Sequence, residues 1–173
     1  MQLALDTCLV RSFEAHDAWS LARHANNRRV WLNLRDYFPH PYTVDDARTF
    51  IESARTRRPE TEFAIAIDGL AVGAIGFVLQ HDVERVSAQI GYWIGEELWG
   101  RGVMTDAVKA VTAYAIARHG LTRLYAAVFE WNLASARVLE KAGYQFEARL
   151  RRSAIKDSRI IDQLQYAFIA ARP

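Results

Sequence analysis

Two short stretches of this chain carry residue types suited to gripping an anion. In Trp99-Gly100-Arg101-Gly102-Val103-Met104-Thr105, a Gly-x-Gly turn runs straight into residues with helical periodicity. A helix N-terminus leaves backbone N–H groups unpaired and carries a partial positive charge, so such a turn can hold a phosphate or pyrophosphate. Gly100 and Gly102 let backbone approach a ligand without an intervening Cβ, and Arg101 adds a cation; the same residues also make an ordinary strand-to-helix turn. A dinucleotide fingerprint is disfavoured because Thr105 stands at the third glycine position, and no Gly-Lys-Ser/Thr follows as a Walker loop requires. The second stretch begins at Asn132, a preferred N-cap, with Ser135 at the third helical position and the cations Arg137 and Lys141 further along, which meet either phosphates or solvent.

The elements that position these residues are readable from pattern. A short strand is expected over 8–13, a helix over about 16–26 stopped by Asn26-Asn27-Arg28-Arg29, and an irregular loop at 36–43 with two prolines and three aromatics. Thr43 caps the next helix, with Asp45 and Asp46 in its first turn. Residues 63–67 and 70–79 flank Asp68-Gly69 as a hairpin, and a strand follows over 86–94. A helix over 103–118 ends at Gly120, then come a strand at 124–129, a helix from Asn132 to about 142 ended by Gly143, and strands near 144–150 and 160–169. Consecutive hairpin strands dominate, so a mixed α/β fold with a largely antiparallel sheet follows.

Composition bounds the classes. With 173 residues, 51% hydrophobic and 24% charged, and only nine Gly and four Pro, the chain is neither fibrous nor disordered, and no linker or repeat divides it. A single domain over 1–173 is expected. The net charge of +2 argues against a nucleic-acid partner. Residues 1–90 carry −2 and residues 91–173 carry +4, which directs the search for an anionic ligand to the second half. Cys8 is the single cysteine, which excludes an intrachain disulfide and favours a reducing, cytoplasmic setting. No apolar run approaches the roughly 18 residues of a membrane span, so no membrane partner is expected.

Three blocks in order, Ile90-Gly91-Tyr92-Trp93-Ile94-Gly95, then 99–107, then 132–144, resemble the GNAT superfamily of acetyl-CoA-dependent N-acetyltransferases. They look most like its branch of ribosomal-protein N-terminal acetyltransferases, RimJ and RimL, and the loop at 34–43 with the late Asp162 and Tyr166 extends the likeness over almost the whole chain. The resemblance implies an α/β fold of α+β type: a mixed, mostly antiparallel sheet of about seven strands with about four helices and splayed central strands. It implies that the cofactor's pantetheine arm pairs with 86–94 like an added strand. Backbone near Trp93, Ile94 and Gly95 then polarises the thioester carbonyl, and Trp99, Gly100, Arg101, Gly102, Val103, Met104 and Thr105 cradle the pyrophosphate. The family usually has Gln or Arg where Trp99 stands and a small residue where Met104 stands, departures that leave backbone contacts intact. By the same resemblance Asn132 and Lys141 contact acetyl-CoA, and Ser135 protonates or stabilises the departing thiolate. Many relatives place a Tyr one turn later, where this chain has Leu139, which shifts that role to Ser135. No metal is implied, and a homodimer is possible because dimerisation is common in the branch.

Amide formation needs a neutral amine, hence a base or a water chain. Gln89 stands where relatives often have Glu, and Ala154 where some have a carboxylate near the penultimate strand. Asp82 and Glu84, with His81 and His40, remain as candidates, although residues of these types in such places are more often turn or surface residues. An α-amine titrates near 7.7–8.0 and a lysine near 10.4, so about a tenth of the former is neutral at pH 7. A weakly basic site therefore suits a peptide N-terminal α-amine as acceptor. Trp31, Tyr37, Phe38 and Tyr42 are expected to wall the acceptor side, unless they are core packing, and Asp36, Asp45 and Asp46 to attract a cation. Acetylation of a small-molecule amine, or a non-catalytic acetyl-CoA-binding module, are the alternatives.

Overall fold

The computed structural model describes residues 1–171. Asp68 and Gly69, at φ 50° and 80°, supply the left-handed pair that closes a tight hairpin between β3 (Glu62–Ile67) and β4 (Leu70–Leu79). Ahead of it lie β1 (Gln2–Ala4), β2 (Leu9–Arg11), α1 (Ala18–Ala25), α2 (Arg28–Trp31) and α3 (Val44–Thr56). After it come β5 (Ser87–Ile94), α4 (Val103–His119), β6 (Arg123–Phe129), α5 (Leu133–Lys141), β7 (Gln145–Lys156) and β8 (Arg159–Ile169). Hydrogen-bonded neighbours run β1-β2-β3-β4-β5-β6-β8-β7 in an eight-stranded mixed sheet. The described residues thus hold eight strands and five α-helices against the expected seven and four. The additions are β1, three residues with little apolar pattern, and α2, a single turn.

The chain gathers into two compact units. One comprises Met1–Gly76 with Tyr92–Ala107. Here β1 to β4 pair antiparallel, and the apolar faces of α1 and α3 bury Leu21, Ala22, Ala47 and Ile51 with Phe13 and Tyr42. Thr43 and Asp46 exchange hydrogen bonds as a capping box at the start of α3. Arg11 grips the fully buried Asp17 with two hydrogen bonds of 2.7 Å. Burial pushes that carboxyl up, but Arg11 and the Glu14 N–H outweigh it and hold Asp17 below its ordinary pKa.

The other unit comprises Phe77–Gly91 and the chain from Val108 onward. β6 lies antiparallel to β8, and β8 to β7, whose register slips at Phe146/Ala148 and again at Leu150/Ala154. Asp162 ties down the second bulge, accepting from the Arg152 N–H at 2.7 Å and from Arg149 Nε at 2.5 Å. Val108, Val111 and Ala115 of α4 are wholly buried, and Thr112 shares a buried 2.7 Å hydrogen bond with Tyr144.

Candidate active site

β5 supplies the first part of the site through the way it stops pairing. Its parallel ladder with β6 runs only from Ser87↔Arg123 to Gln89↔Tyr125, although both strands continue. In a strand, successive residues turn their backbone groups to opposite edges. The Val86 carbonyl accepts from Thr122 N–H, toward β6, whereas the Ser87 carbonyl accepts from Gln80 N–H and the Gly95 N–H donates to Val72 O at 2.9 Å. The odd-numbered residues therefore face β4, and Ile90, Tyr92 and Ile94 present backbone to the opposite edge. The resemblance-based expectation of a polarising group at Trp93, Ile94 or Gly95 narrows accordingly. Gly95 N–H is committed to β4, the Ile94 carbonyl accepts the Trp99 indole N–H at 3.0 Å, and the Ile94 N–H points away from β4.

The end of β5 is packed so closely that glycine is required beside it. A Cβ on Gly73 of β4 would collide with the Trp93 carbonyl and stand 2.8 Å from Ile94 Cα. One on Gly95 would collide with the imidazole of His24 from α1. Burial lowers the pKa of His24, against a partial rise from Glu97, whose carboxylate stands 3.6 Å away.

The turn that follows has the geometry of an anion cradle. Gly100 and Gly102 adopt φ 76° and 85°, and a Cβ on either would meet no atom within 4 Å, so the space above the turn is open. Asp106 N–H to Gly102 O, 3.2 Å, is the first bond of the helical ladder, which leaves the N–H groups of Val103, Met104 and Thr105 ahead of it. The side chains of Val103 and Met104 are buried and that of Arg101 is exposed. Met104 thus fills core where the resemblance leads one to expect a small residue. The preceding loop is braced by α2: Asn27 donates to Glu96 at 2.8 Å, Arg29 pairs with Glu96, and the Arg29 guanidinium lies 5.5 Å from the Trp99 ring centroid.

On α5, Asn132 is the N-cap, its Oδ1 accepting from the Ser135 N–H at 3.1 Å. The residue pattern alone signals this cap. Ser135 is half-buried in the first turn, and Lys141 is exposed in the last. At 1.5 Å per residue about 13 Å of axis separates Lys141 from Asn132, so the two do not serve one phosphate group.

The aromatics divide. Phe38 packs on Tyr42 at 4.7 Å between centroids and edge-on to Trp93 at 5.4 Å, joining β5. Tyr42 is core, 5% exposed, and burial pushes its hydroxyl pKa up to about 12. Trp31 lies against His40 and under Arg28, whereas Tyr37 is 85% exposed. Asp45 is paired with Arg48 at 2.8 Å and Asp46 is spent on the α3 cap. Asp82 and Glu84 sit exposed in a single 3₁₀ turn, Asp82 at φ 52°. His24 and Gly73 were not identifiable from sequence: a histidine within a helical run and a glycine within a strand carry no distinguishing signal in themselves.

Residues 8–145 match the family model described as an acetyltransferase (GNAT) domain. The chain belongs to the GNAT acetyltransferase family. It is 33% identical over 158 residues to YjcK of Bacillus subtilis, named a probable N-acetyltransferase, with 85% of each chain covered. Among solved structures, this GNAT chain superposes on RimL, the ribosomal L7/L12 alpha-N-protein acetyltransferase in complex with coenzyme A, with TM-score 0.84, 18% identity and 98% of each chain covered. It also superposes on RimJ of Mycobacterium smegmatis in complex with CoA-disulfide, with TM-score 0.81, 25% identity, and 94% of this chain and 82% of that one covered. The protein is therefore an N-acetyltransferase. Among the described residues no helix is long and apolar enough to cross a membrane, and no three His, Cys, Asp or Glu stand together as a metal site.

Proposed function

We propose that this enzyme uses acetyl-CoA to acetylate a peptide or protein N-terminal α-amine. The carrying observation is the end of β5, where the ladder with β6 stops at Gln89 and Ile94 keeps its N–H turned away from β4. An extended amide-bearing arm fits such an edge as an added strand. The Ile94 N–H then stabilises the charge that develops on the thioester oxygen. The turn from Trp99 to Thr105 offers its open face and free N–H groups to the pyrophosphate, with Arg101 beside it. Asn132 caps α5 and holds Ser135 in its first turn, where the Ser135 hydroxyl donates a proton to the leaving thiolate. Lys141 belongs to the surface of α5 in this reading. The uninterrupted family match over 8–145 supports treating the chain as one functional domain.

Acetyl-CoA supplies the activated acyl group, and attack by the amine nitrogen breaks the C–S bond to give amide and thiol. The acceptor reading rests on the weakness of the available bases. Asp82 and Glu84 are exposed turn residues, and the resemblance sets Gln89 where relatives often have Glu and Ala154 where some have a carboxylate. An amine already partly neutral at pH 7 suits such a site, and the aromatic group of Phe38 and Trp93 offers an apolar wall for its first residue. Mass spectrometry after incubation with acetyl-CoA and a panel of peptides, polyamines and small amines tests this. Acetylation at peptide α-amines is expected, and modification confined to lysine side chains or polyamines overturns the acceptor assignment.

A further inference from the structure

The backbone that faces the thioester must be held still, because a donor accelerates acyl transfer only when it is already aimed at the developing charge. In this chain the holding is done by the side chain of Trp99. The Ile94–Gly95 peptide is fixed at both ends: its carbonyl accepts the Trp99 indole N–H at 3.0 Å, and its N–H donates to Val72 O at 2.9 Å. Trp99 is in turn braced by Arg29 over its ring, Arg29 by Glu96, and Glu96 by Asn27. Gly73 backs the neighbouring Trp93–Ile94 peptide so closely that any side chain there would strike it. Trp99 is 38% exposed, too open for its N–H to be explained by burial alone.

We propose that Trp99 is a positioning residue for acetyl transfer: its indole N–H locks the Ile94 carbonyl, so the Ile94 N–H meets the thioester oxygen in fixed orientation. This rests on the reading of β5 given above. The lock ties the end of β5 to the first residue of the glycine turn through one side chain. It therefore couples the place where the acyl group reacts to the place where the pyrophosphate is held. Gln, the residue relatives often carry here, also has an N–H donor, whereas Phe and Leu have none.

The full-length enzyme and its Trp99→Phe, Trp99→Leu and Trp99→Gln variants are compared with acetyl-CoA and whichever amine of the panel reacts best. Trp99→Phe keeps an aromatic ring for Arg29 while losing the donor and part of the ring area. Its kcat is expected to fall about five- to tenfold with the acetyl-CoA KM within twofold, Trp99→Leu to fall at least as far, and Trp99→Gln to recover most of the rate. Amide hydrogen exchange over 92–99 without ligand, at least threefold faster in Trp99→Phe than in wild type, reports the lock independently of turnover. An unchanged kcat in Trp99→Phe, or a raised KM with kcat preserved, overturns the proposal. If no amine reacts with the wild type, the acceptor assignment fails, and unaltered exchange in Trp99→Phe then overturns the lock as well.

Discussion

Ser135 illustrates how one residue position combines a structural and a chemical demand. Its N–H is consumed by the Asn132 cap, which fixes the first turn of α5 whatever the hydroxyl does. Replacing Ser135 by Ala removes Oγ and keeps the N–H that Asn132 caps. If the hydroxyl protonates the thiolate, Ser135→Ala lowers kcat about a hundredfold and leaves the acetyl-CoA KM within twofold; steady-state thiol release with a saturating amine measures both. Asn132→Ala removes the cap, so it is expected to lower stability by about 1 kcal/mol as well as activity. The contrast between the two variants distinguishes chemistry from scaffolding. At this scale the sequence was informative where a residue type announces its role through its neighbours, as Asn132 does before an apolar helix and Thr43 does three residues before Asp46. It was silent where the role depends on what lies across space. Gly73, His24 and the Trp99–Ile94 hydrogen bond arise only once β4, α1 and the turn are folded.

Elements are held by a mixture of local signals and pairings made at a distance, and the errors of sequence reading follow that division. The run Asn26-Asn27-Arg28-Arg29 reads as a helix stop, yet Asn27 also starts α2 by accepting from the N–H groups of Arg29 and Val30. One residue type serves both ends, so pattern alone merges a stop and a start. β7 extends to Lys156, past the expected end at 150, because β8 pairs with it across two register slips that no local periodicity encodes. The expected strand at 8–13 shortens to Leu9–Arg11, where pairing with β3 ends. Arg11, the last residue of β2, is also half of a buried ion pair. Breaking a buried pair leaves one charge uncompensated, so Asp17→Asn is expected to cost about 3–5 kcal/mol in urea unfolding at pH 7. Asp17 has a lowered pKa in the folded protein. Its contribution is therefore present above its unfolded value of 3.8 and lost as pH falls through the lower folded value, and wild type and Asp17→Asn should converge in stability there. The glycine turn provides the second test at this scale. Gly102→Ala and Gly102→Glu share the cost of an L-residue at φ 85°, about 1–2 kcal/mol, and both side chains have open space. Only Gly102→Glu places an anion at the turn proposed to cradle the pyrophosphate. Acetyl-CoA affinity by calorimetry should fall more than tenfold further in Gly102→Glu than in Gly102→Ala, and equal affinities would remove the pyrophosphate from this turn.

For the whole molecule, charge is the property that sequence order misrepresents. The positive second half of the chain suggested an anion-attracting region around the turn. The compact units, however, are not halves of the sequence, because the chain leaves the first unit at Gly76 and returns to it for Tyr92–Ala107. The unit that contains the glycine turn carries 13 acidic and 10 basic residues, and the other carries 7 acidic and 12 basic. If a polyanion binds at Trp99–Thr105 as proposed, the net charge of that unit does not draw it there, and the local groups that can are the oriented backbone N–H dipoles and Arg101. Fixed dipoles at short range are little affected by added salt, whereas an exposed guanidinium is screened within a Debye length of about 10 Å at 0.1 M. The acetyl-CoA KM should accordingly rise only a few-fold between 20 and about 300 mM salt, and nearly all of that rise should vanish in Arg101→Ala. If the rise persists undiminished in Arg101→Ala, cations beyond the turn carry the attraction, with Arg137 and Lys141 of α5 the first to replace.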